Sequence, residues 1–510
     1  MILINQIITF YAAKFKRSKK DFSVDGRIVF LHGDICGGKT LVILGALNSL
    51  SPTRPIFELQ HAYVDLLNEV SLILSIYKNA ILVIENCFSL GEDRLVAAAR
   101  QVSASAGGLI LSARSISTEA ESGKLKGIRA IPTLVEMQIG KLHPTEIDAL
   151  IALIDQIAGW RDLRALSAGD RRRFVEIECS GAVPSVLLRL LNSEYVRNKY
   201  REEYNKTSYL DARERQMIVA ALLIANIGLD APLSFLSDLF EKDFLSMLKR
   251  IAAQGGGLRL VRADGGITRT VPSIGARNLL KNVVQTHDVV NTNIYILEKM
   301  AQAIRRTDFE RHIFSQLMRY SILSSIISDT SEVNRFFDHI SKIAYFREMP
   351  LFWLQWHMAM SAQSKWVKAE DYLNMGYAAA TTLEKKRGEK YNRKQLDDRK
   401  AKFLAARAES NMRTDVDLFR DLKEAFDLVG RLMRDPELTH HPYETLLDIG
   451  KVLELRGRTV LDVQRKMLLA QFKGVAEQAK LKLNVVPEGS QRFRASEWLK
   501  QVESMIPGTR

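Results

Sequence analysis

Arg27-Ile28-Val29-Phe30-Leu31 runs through His32 into Gly33-Asp34-Ile35-Cys36-Gly37-Gly38-Lys39-Thr40, and Leu41-Val42-Ile43-Leu44-Gly45-Ala46-Leu47 follows at once. The first run is β-branched and apolar, which predicts a buried strand, and the last reads as an apolar helix. Between them, Gly33 to Thr40 fits G-x-x-x-x-G-K-[ST] in the strand-loop-helix setting that the pattern requires. Gly33, Gly37 and Gly38 let backbone N–H groups wrap a phosphate, which then rests on the positive end of the helix. Lys39 is placed to reach the β- and γ-phosphates, and Thr40 to offer its hydroxyl to Mg²⁺. The expected cofactors are ATP or ADP with Mg²⁺.

Outward from this stretch, short apolar runs alternate with helix-length segments, the signature of a mostly parallel α/β sheet. Ala80-Ile81-Leu82-Val83-Ile84-Glu85-Asn86 is a strand ending in an acid. A carboxylate there can hold Mg²⁺ through water, so Glu85 is a candidate metal-binding and catalytic residue. No second acid follows it. Asn86 stands where a base would sit, and the pattern supports binding more directly than turnover, so that any ATP hydrolysis is expected to be slow. Gly108-Leu109-Ile110-Leu111-Ser112-Ala113-Arg114 is a further strand, and Arg114 at its carboxyl end faces either the ligand crevice, where it can sense a γ-phosphate, or solvent. Leu134 to Ile139 completes the sheet.

The chain of 510 residues has room for about three domains. With 46% apolar and 26% charged residues and a mean hydropathy of -0.08, disorder is excluded as its main state. Cys36, Cys87 and Cys179 are too few and scattered for a disulfide framework and form no Cys-x-x-Cys pair. Cys36 and Cys87 read as buried thiols in preference to a redox pair. The apolar stretch from Met1 to Ala13 precedes its basic cluster, Lys14 to Lys20, the reverse of a secretory signal, and is too short to span a bilayer. It reads as a helix with a basic linker, and the expected location is cytoplasmic. The net charge is +14, of which residues 301–510 carry +8 and 451–510 carry +6. The basic run Glu384 to Lys394 is interrupted by acids and reads as a solvated helical face or loop.

The order of these motifs resembles the STAND class of P-loop ATPases, signal-transducing switches that include NLR immune receptors and bacterial antiviral sensors. Downstream, Leu142-His143-Pro144-Thr145-Glu146 opens a helical segment, and Cys179-Ser180-Gly181-Ala182-Val183-Pro184 resembles the G-x-P motif of the family's helical lid. The resemblance implies that Pro184 lies against the nucleoside. Gly181 and Pro184 enclose two residues where the motif has one, and Gly-x-x-Pro is also an ordinary helix start. Helical patterns at Asp211–Ala225, Ser234–Phe240 and Phe244–Ala253, then a hairpin pattern at Gly257–Ala263 and Ile267–Val271, are similar to the family's winged helix. Val271-Pro272 stands where the family keeps a nucleotide-sensing histidine. Arg259, Arg262 and Arg269 on the hairpin suit phosphate contacts.

Beyond residue 290 the pattern is helical, with amphipathic stretches at Asp308–Ile327, Asp415–Met433 and Tyr443–Leu455. Trp353, Trp356, Ala369, Leu373 and Gly376 have loosely tetratricopeptide-like spacing, and a plain helical bundle is the alternative. The expected division is residues 1–20 as helix and linker, 21–141 as nucleotide-binding core, 142–208 as lid, 209–288 as winged helix and 289–510 as helical sensor. In the family an effector domain precedes the phosphate loop, whereas residues 1–26 alone precede the first strand here. Output is then expected from an effector protein in trans, from the helical C-terminal region, or from an upstream part absent from this chain, and the reading taken is the effector in trans. The resemblance also implies a homo-oligomer and a trigger, protein or nucleic acid, met by the C-terminal helices, with no membrane involved. The rival readings are an ATP-gated, winged-helix DNA-binding regulator and a nucleotide-binding scaffold.

Overall fold

Four of the sheet's strands fall where apolar runs predict them, and the fifth is a short edge. A computed structural model describes residues 27–33, 39, 43, 47, 54–59, 66–85, 87, 90, 92–114, 130–139, 142, 144–156, 160, 163, 165–179, 181–191, 194–253, 260–264, 266–270, 273–303, 307–410, 414–436, 438–486 and 490–506. The N-terminal helix and linker expected at residues 1–20 lie outside them. Strands β1 (Ile28–Gly33), β2 (Ile56–Glu58), β3 (Ile81–Ile84), β4 (Gly108–Arg114) and β5 (Leu134–Ile139) form a parallel sheet in the order β2-β3-β4-β1-β5. β2 has three residues, too few to show a period, and it exists by pairing Ile56 with Ile81 at the sheet edge.

Both faces of the sheet are covered, as its continuous apolar strands require. Ile28, Phe30, Leu82, Ile84, Leu109 and Leu111 pack on one side with α1 (Leu66–Ile76) and α2 (Glu92–Ser103). Val29, Leu31, Val83 and Ile110 pack on the other with Ile43 and Leu47.

The chain divides into two compact units, residues 1–336 and 337–510. In the first, α3 (Pro144–Gln156), α4 (Ala168–Arg173), a π-helical turn (Phe174–Glu178) and α5 (Val183–Leu191) enclose a core of Ile147, Leu150, Trp160, Phe174, Val175 and Val186. After α6 (Glu194–Asn205) come α7 (Ala212–Asn226), α8 (Leu233–Phe240), α9 (Phe244–Ala253) and an antiparallel hairpin of β6 (Val261–Asp264) and β7 (Ile267–Thr270). The apolar run that starts at Met217 is the buried centre of α7, which begins with a reciprocal Asp211–Glu214 capping box. Gly266 turns the hairpin at φ +84°, a conformation glycine adopts without steric cost. Thr268 ties the hairpin back to Ala231, its N–H donating to the Ala231 carbonyl at 2.8 Å.

Two more helices, α10 (Ser273–Asn282) and α11 (Thr286–Gln302), precede α12 (Asp308–Leu317) and α13 (Tyr320–Ile326). The single amphipathic stretch expected at Asp308–Ile327 is thus broken. Arg319 is extended (φ -72°, ψ 130°), and buried Asn293 donates to the freed Leu317 carbonyl at 3.3 Å. The unit boundary falls in α14 (Thr330–Ser341), which is followed by α15 (Ala344–Arg347), α16 (Pro350–Ala362), α17 (Trp366–Arg387), α18 (Lys394–Glu409), α19 (Asp415–Leu432), α20 (His441–Arg456), α21 (Asp462–Lys482) and α22 (Ser490–Met505).

The second unit is a series of helical hairpins. Trp353, Trp356, Ala369, Leu373 and Gly376, whose spacing stood out in the sequence, are all buried in the α16–α17 pair, where Trp356 stacks on Tyr372 with centroids 3.9 Å apart. The basic run at 384–394 closes α17, turns, and begins α18, with Arg393 paired to Glu384 at 2.6 Å. No described helix is long and apolar enough to cross a membrane.

His357 gives this unit a pH dependence. Its ring Nδ1 lies 2.8 Å from the Ala369 carbonyl, and burial pushes its pKa down to about 4. The unfolded chain takes up the proton near pH 6.5, so the stabilisation is full above that pH and is lost as pH falls towards 4. Unfolding in urea at pH 7.5 and 5.0 is expected to differ by about 2 kcal/mol from this group. Four of the five tryptophans lie in this unit and report it by emission. The variant His357→Gln, which does not titrate, should lose that part of the difference; an unchanged difference would exclude His357 as its source.

Candidate nucleotide site

The carboxyl edge of a parallel sheet is where open α/β folds bind ligands, and three of the residues singled out by sequence, Gly33, Glu85 and Arg114, lie at that edge. β1 ends at Gly33, which pairs directly with Arg114 at the end of β4 and with Ile139 at the end of β5. On the far side of β4, Ile84 pairs with Leu111, and Glu85 is the next residue of the chain. Gly33, Arg114 and Glu85 therefore terminate three consecutive strands. With strands about 4.8 Å apart, β1 and β3 are separated by roughly 10 Å. That gap is wide enough for a phosphate beside a hydrated cation.

Lys39, Ile43 and Leu47 are helical and recur at steps of four. Ile43 is buried against Val29, Leu31 and Val83, and Leu47 packs beside it. The helix is thus fixed on its sheet-facing side, and Lys39 stands on that same side two turns before Leu47. Lys39 and Glu85 are both half-buried. Gly37, Gly38, Thr40, Cys36 and Asn86 lie outside the described residues, as do the side chains of Arg114 and Pro184. Among the described residues, no group of three or more His, Cys, Asp or Glu is placed to hold a metal. Of the two hard-oxygen donors named from the sequence for Mg²⁺, Glu85 is among the described residues and Thr40 is not.

His32 belongs to none of the sequence motifs. It is 3% exposed, stacks on Phe30 with centroids 5.6 Å apart, and sets Nε2 3.1 Å from Glu136 Oε1 of β5. The two groups are close enough to pair, although the contact lacks hydrogen-bond geometry. The signal was available: His32 continues the alternation of Ile28 and Phe30 onto a buried face, where a polar side chain needs a partner.

The segment expected to meet the nucleoside is held by backbone geometry. Gly181 takes φ +65°, donates from its N–H to the Val175 carbonyl at 2.8 Å, and accepts from the Leu142 N–H at 2.8 Å. The end of the π-helical turn is thereby tied to the residue that leads into α3. Pro184 is the second residue of α5, whose Val183 and Val186 are buried in the core with Ile147, Trp160 and Phe174, so the Gly-x-x-Pro pattern does start a helix. Burial pushes the Cys179 thiol up to about 11, which leaves it unreactive near neutral pH. Cys87 is buried as well.

On the hairpin, Arg262 and Arg269 occupy directly opposed positions, while Arg259 and Val271-Pro272 lie outside the described residues.

No family model matches the chain, and no curated protein matches it. Among solved structures it is similar to a Signal Transduction ATPase with Numerous Domains (STAND) protein with a tetratricopeptide repeat sensor from Pyrococcus horikoshii. The identity is 12%, the match covers 94% of this chain and 81% of that one, and the TM-score is 0.28. A likeness of that order decides neither family nor activity.

Proposed function

We propose that the chain is an ATP-binding molecular switch of the STAND type. The observation that carries the reading is the convergence of Gly33, Arg114 and Glu85 on three neighbouring strand ends, with the G-x-x-x-x-G-K-T sequence starting from the first of them. In this reading Lys39 and the loop glycines hold the phosphates, Thr40 and Glu85 hold Mg²⁺, Arg114 reads the γ-phosphate and Pro184 lies against the nucleoside. Mg²⁺ supplies charge neutralisation at the phosphates when bound. The helical region of residues 289–510 serves as sensor, the ATP form assembles with further copies once a trigger binds, and an effector protein delivers the output in prokaryotic antiviral defence. A trigger drives such a change only by binding the assembled form more tightly.

The test is particle mass by light scattering with ATP, with ADP and with neither, alongside binding of a fluorescent ATP analogue. Nucleotide-dependent growth in mass supports a switch. A nucleotide that stays bound without hydrolysis and without change in mass makes the protein a scaffold instead. The opposed Arg262 and Arg269 favour one second reading, a DNA-binding regulator. That reading requires duplex binding that weakens steeply between low and moderate salt and is lost when both arginines are neutralised.

A further inference from the structure

Helix α21 faces the core of its unit through Leu468, Phe472, Ala476 and Ala479, all buried. On the opposite side, Val463, Met467, Ala470, Gly474, Glu477 and Leu481 succeed one another at steps of four, three, four, three and four. This alternation is a heptad seam, with Met467, Gly474 and Leu481 at a and Val463, Ala470 and Glu477 at d. Every g position is then lysine (Lys466, Lys473, Lys480) and every e position glutamine (Gln464, Gln471, Gln478). In coiled coils a and d are buried by a second helix, yet here Val463 is 71%, Met467 48% and Leu481 82% exposed. A β-carbon built on Gly474 meets nothing within 4 Å. Glycine is unfavourable in a helix interior, and no described neighbour fills this space, whereas a second helix approaching closely across the seam accounts for it.

We propose that this outer face of α21 docks a helical segment of a partner protein whose own seam is apolar and whose flanks are acidic. Charge selects this occupant. Lys466 and Lys473 are exposed, Lys480 makes only an exposed surface pair with Glu503 at 2.9 Å, and residues 451–510 carry twelve Lys and Arg against six Asp and Glu. A second copy fits poorly. Parallel pairing sets Glu477 against Glu477 in the seam, and antiparallel pairing sets one lysine row against the other. An anionic membrane calls for bulky apolar and aromatic residues along the whole stripe, and the middle of this one is Ala470, Gly474 and Glu477. The seam is about 27 Å long, enough for five turns of a partner helix. The proposal rests on the second unit alone and stands whether or not the first unit binds nucleotide.

The test uses the full chain and two synthetic 21-residue helical peptides with leucine at a and d, one with glutamate and one with lysine at e and g, followed by fluorescence anisotropy. The glutamate peptide is expected to bind, and the lysine peptide to bind about tenfold more weakly or worse, from three reversed exposed pairs. The triple variant Lys466→Glu, Lys473→Glu, Lys480→Glu should exchange the two affinities. Gly474→Arg should block both peptides while circular dichroism and tryptophan emission stay those of the parent chain. Equal binding of the two peptides overturns the proposal, as does binding that survives both variants. It is equally overturned by self-association of the chain that the same variants abolish, or by binding confined to phosphatidylserine vesicles.

Discussion

Replacing Lys39 by alanine is expected to weaken binding of a fluorescent ATP analogue by about a hundredfold, as follows from losing two charge-assisted hydrogen bonds to phosphate. The fold should survive the change. Lys39 is half-buried at the first described position of its helix, and the residues that hold that helix on the sheet are Ile43 and Leu47. Alanine is the best helix former, so the substitution removes the charge without opening the core. Lys39→Arg separates charge from fit, because a planar guanidinium does not reach a phosphate as a compact ammonium does, and it should recover only part of the loss. Retention of full affinity in Lys39→Ala, with unchanged circular dichroism, would sink the proposed nucleotide site. It would leave the α21 docking face untouched, so the two proposals fail separately.

The sheet was legible because its strands are continuous apolar runs buried on both faces, and such runs carry the signal whatever their neighbours do. The convergence of Gly33, Glu85 and Arg114 was legible for a related reason. Each terminates a strand, and parallel strands bring their carboxyl ends to one edge. His32 and β2 were not legible in that way. His32 gains its meaning from Glu136, which lies far away in sequence and meets it only because β5 pairs with β1. β2 is too short to announce itself and depends on β3. The break between α12 and α13 also depends on a residue from another element, Asn293 of α11. The heptad of α21 was written in the sequence from the start, but only the burial of Leu468, Phe472, Ala476 and Ala479 shows which stripe faces outward.

Arg407→Ala is expected to destabilise the helical unit by about 3–5 kcal/mol, the scale for stranding one partner of a buried ion pair. Arg407 of α18 is 6% exposed, and its Nε and Nη2 donate to the two carboxylate oxygens of Asp421 of α19 at 2.9 and 2.8 Å. Its Nη1 donates to Glu370 of α17 at 2.7 Å, so one guanidinium ties three helices, and it also lies 4.8 Å from the Phe403 ring centroid. Asp421 is 1% exposed, and alanine at 407 leaves its charge without its bidentate partner in a place water does not reach. Glu370 is half exposed and can turn to solvent, so its share of the loss is small. Arg407→Lys keeps the charge but cannot form both bonds to Asp421, and should fall between alanine and the parent. The double variant Arg407→Met with Asp421→Leu removes both charges and should regain most of the lost stability, since apolar residues of similar volume replace buried pairs at little cost. Urea unfolding followed by tryptophan emission distinguishes these outcomes. If the double variant is as unstable as Arg407→Ala, the loss comes from packing of the arginine stem against Phe403 and not from the stranded carboxylate, and the electrostatic account of this junction is wrong.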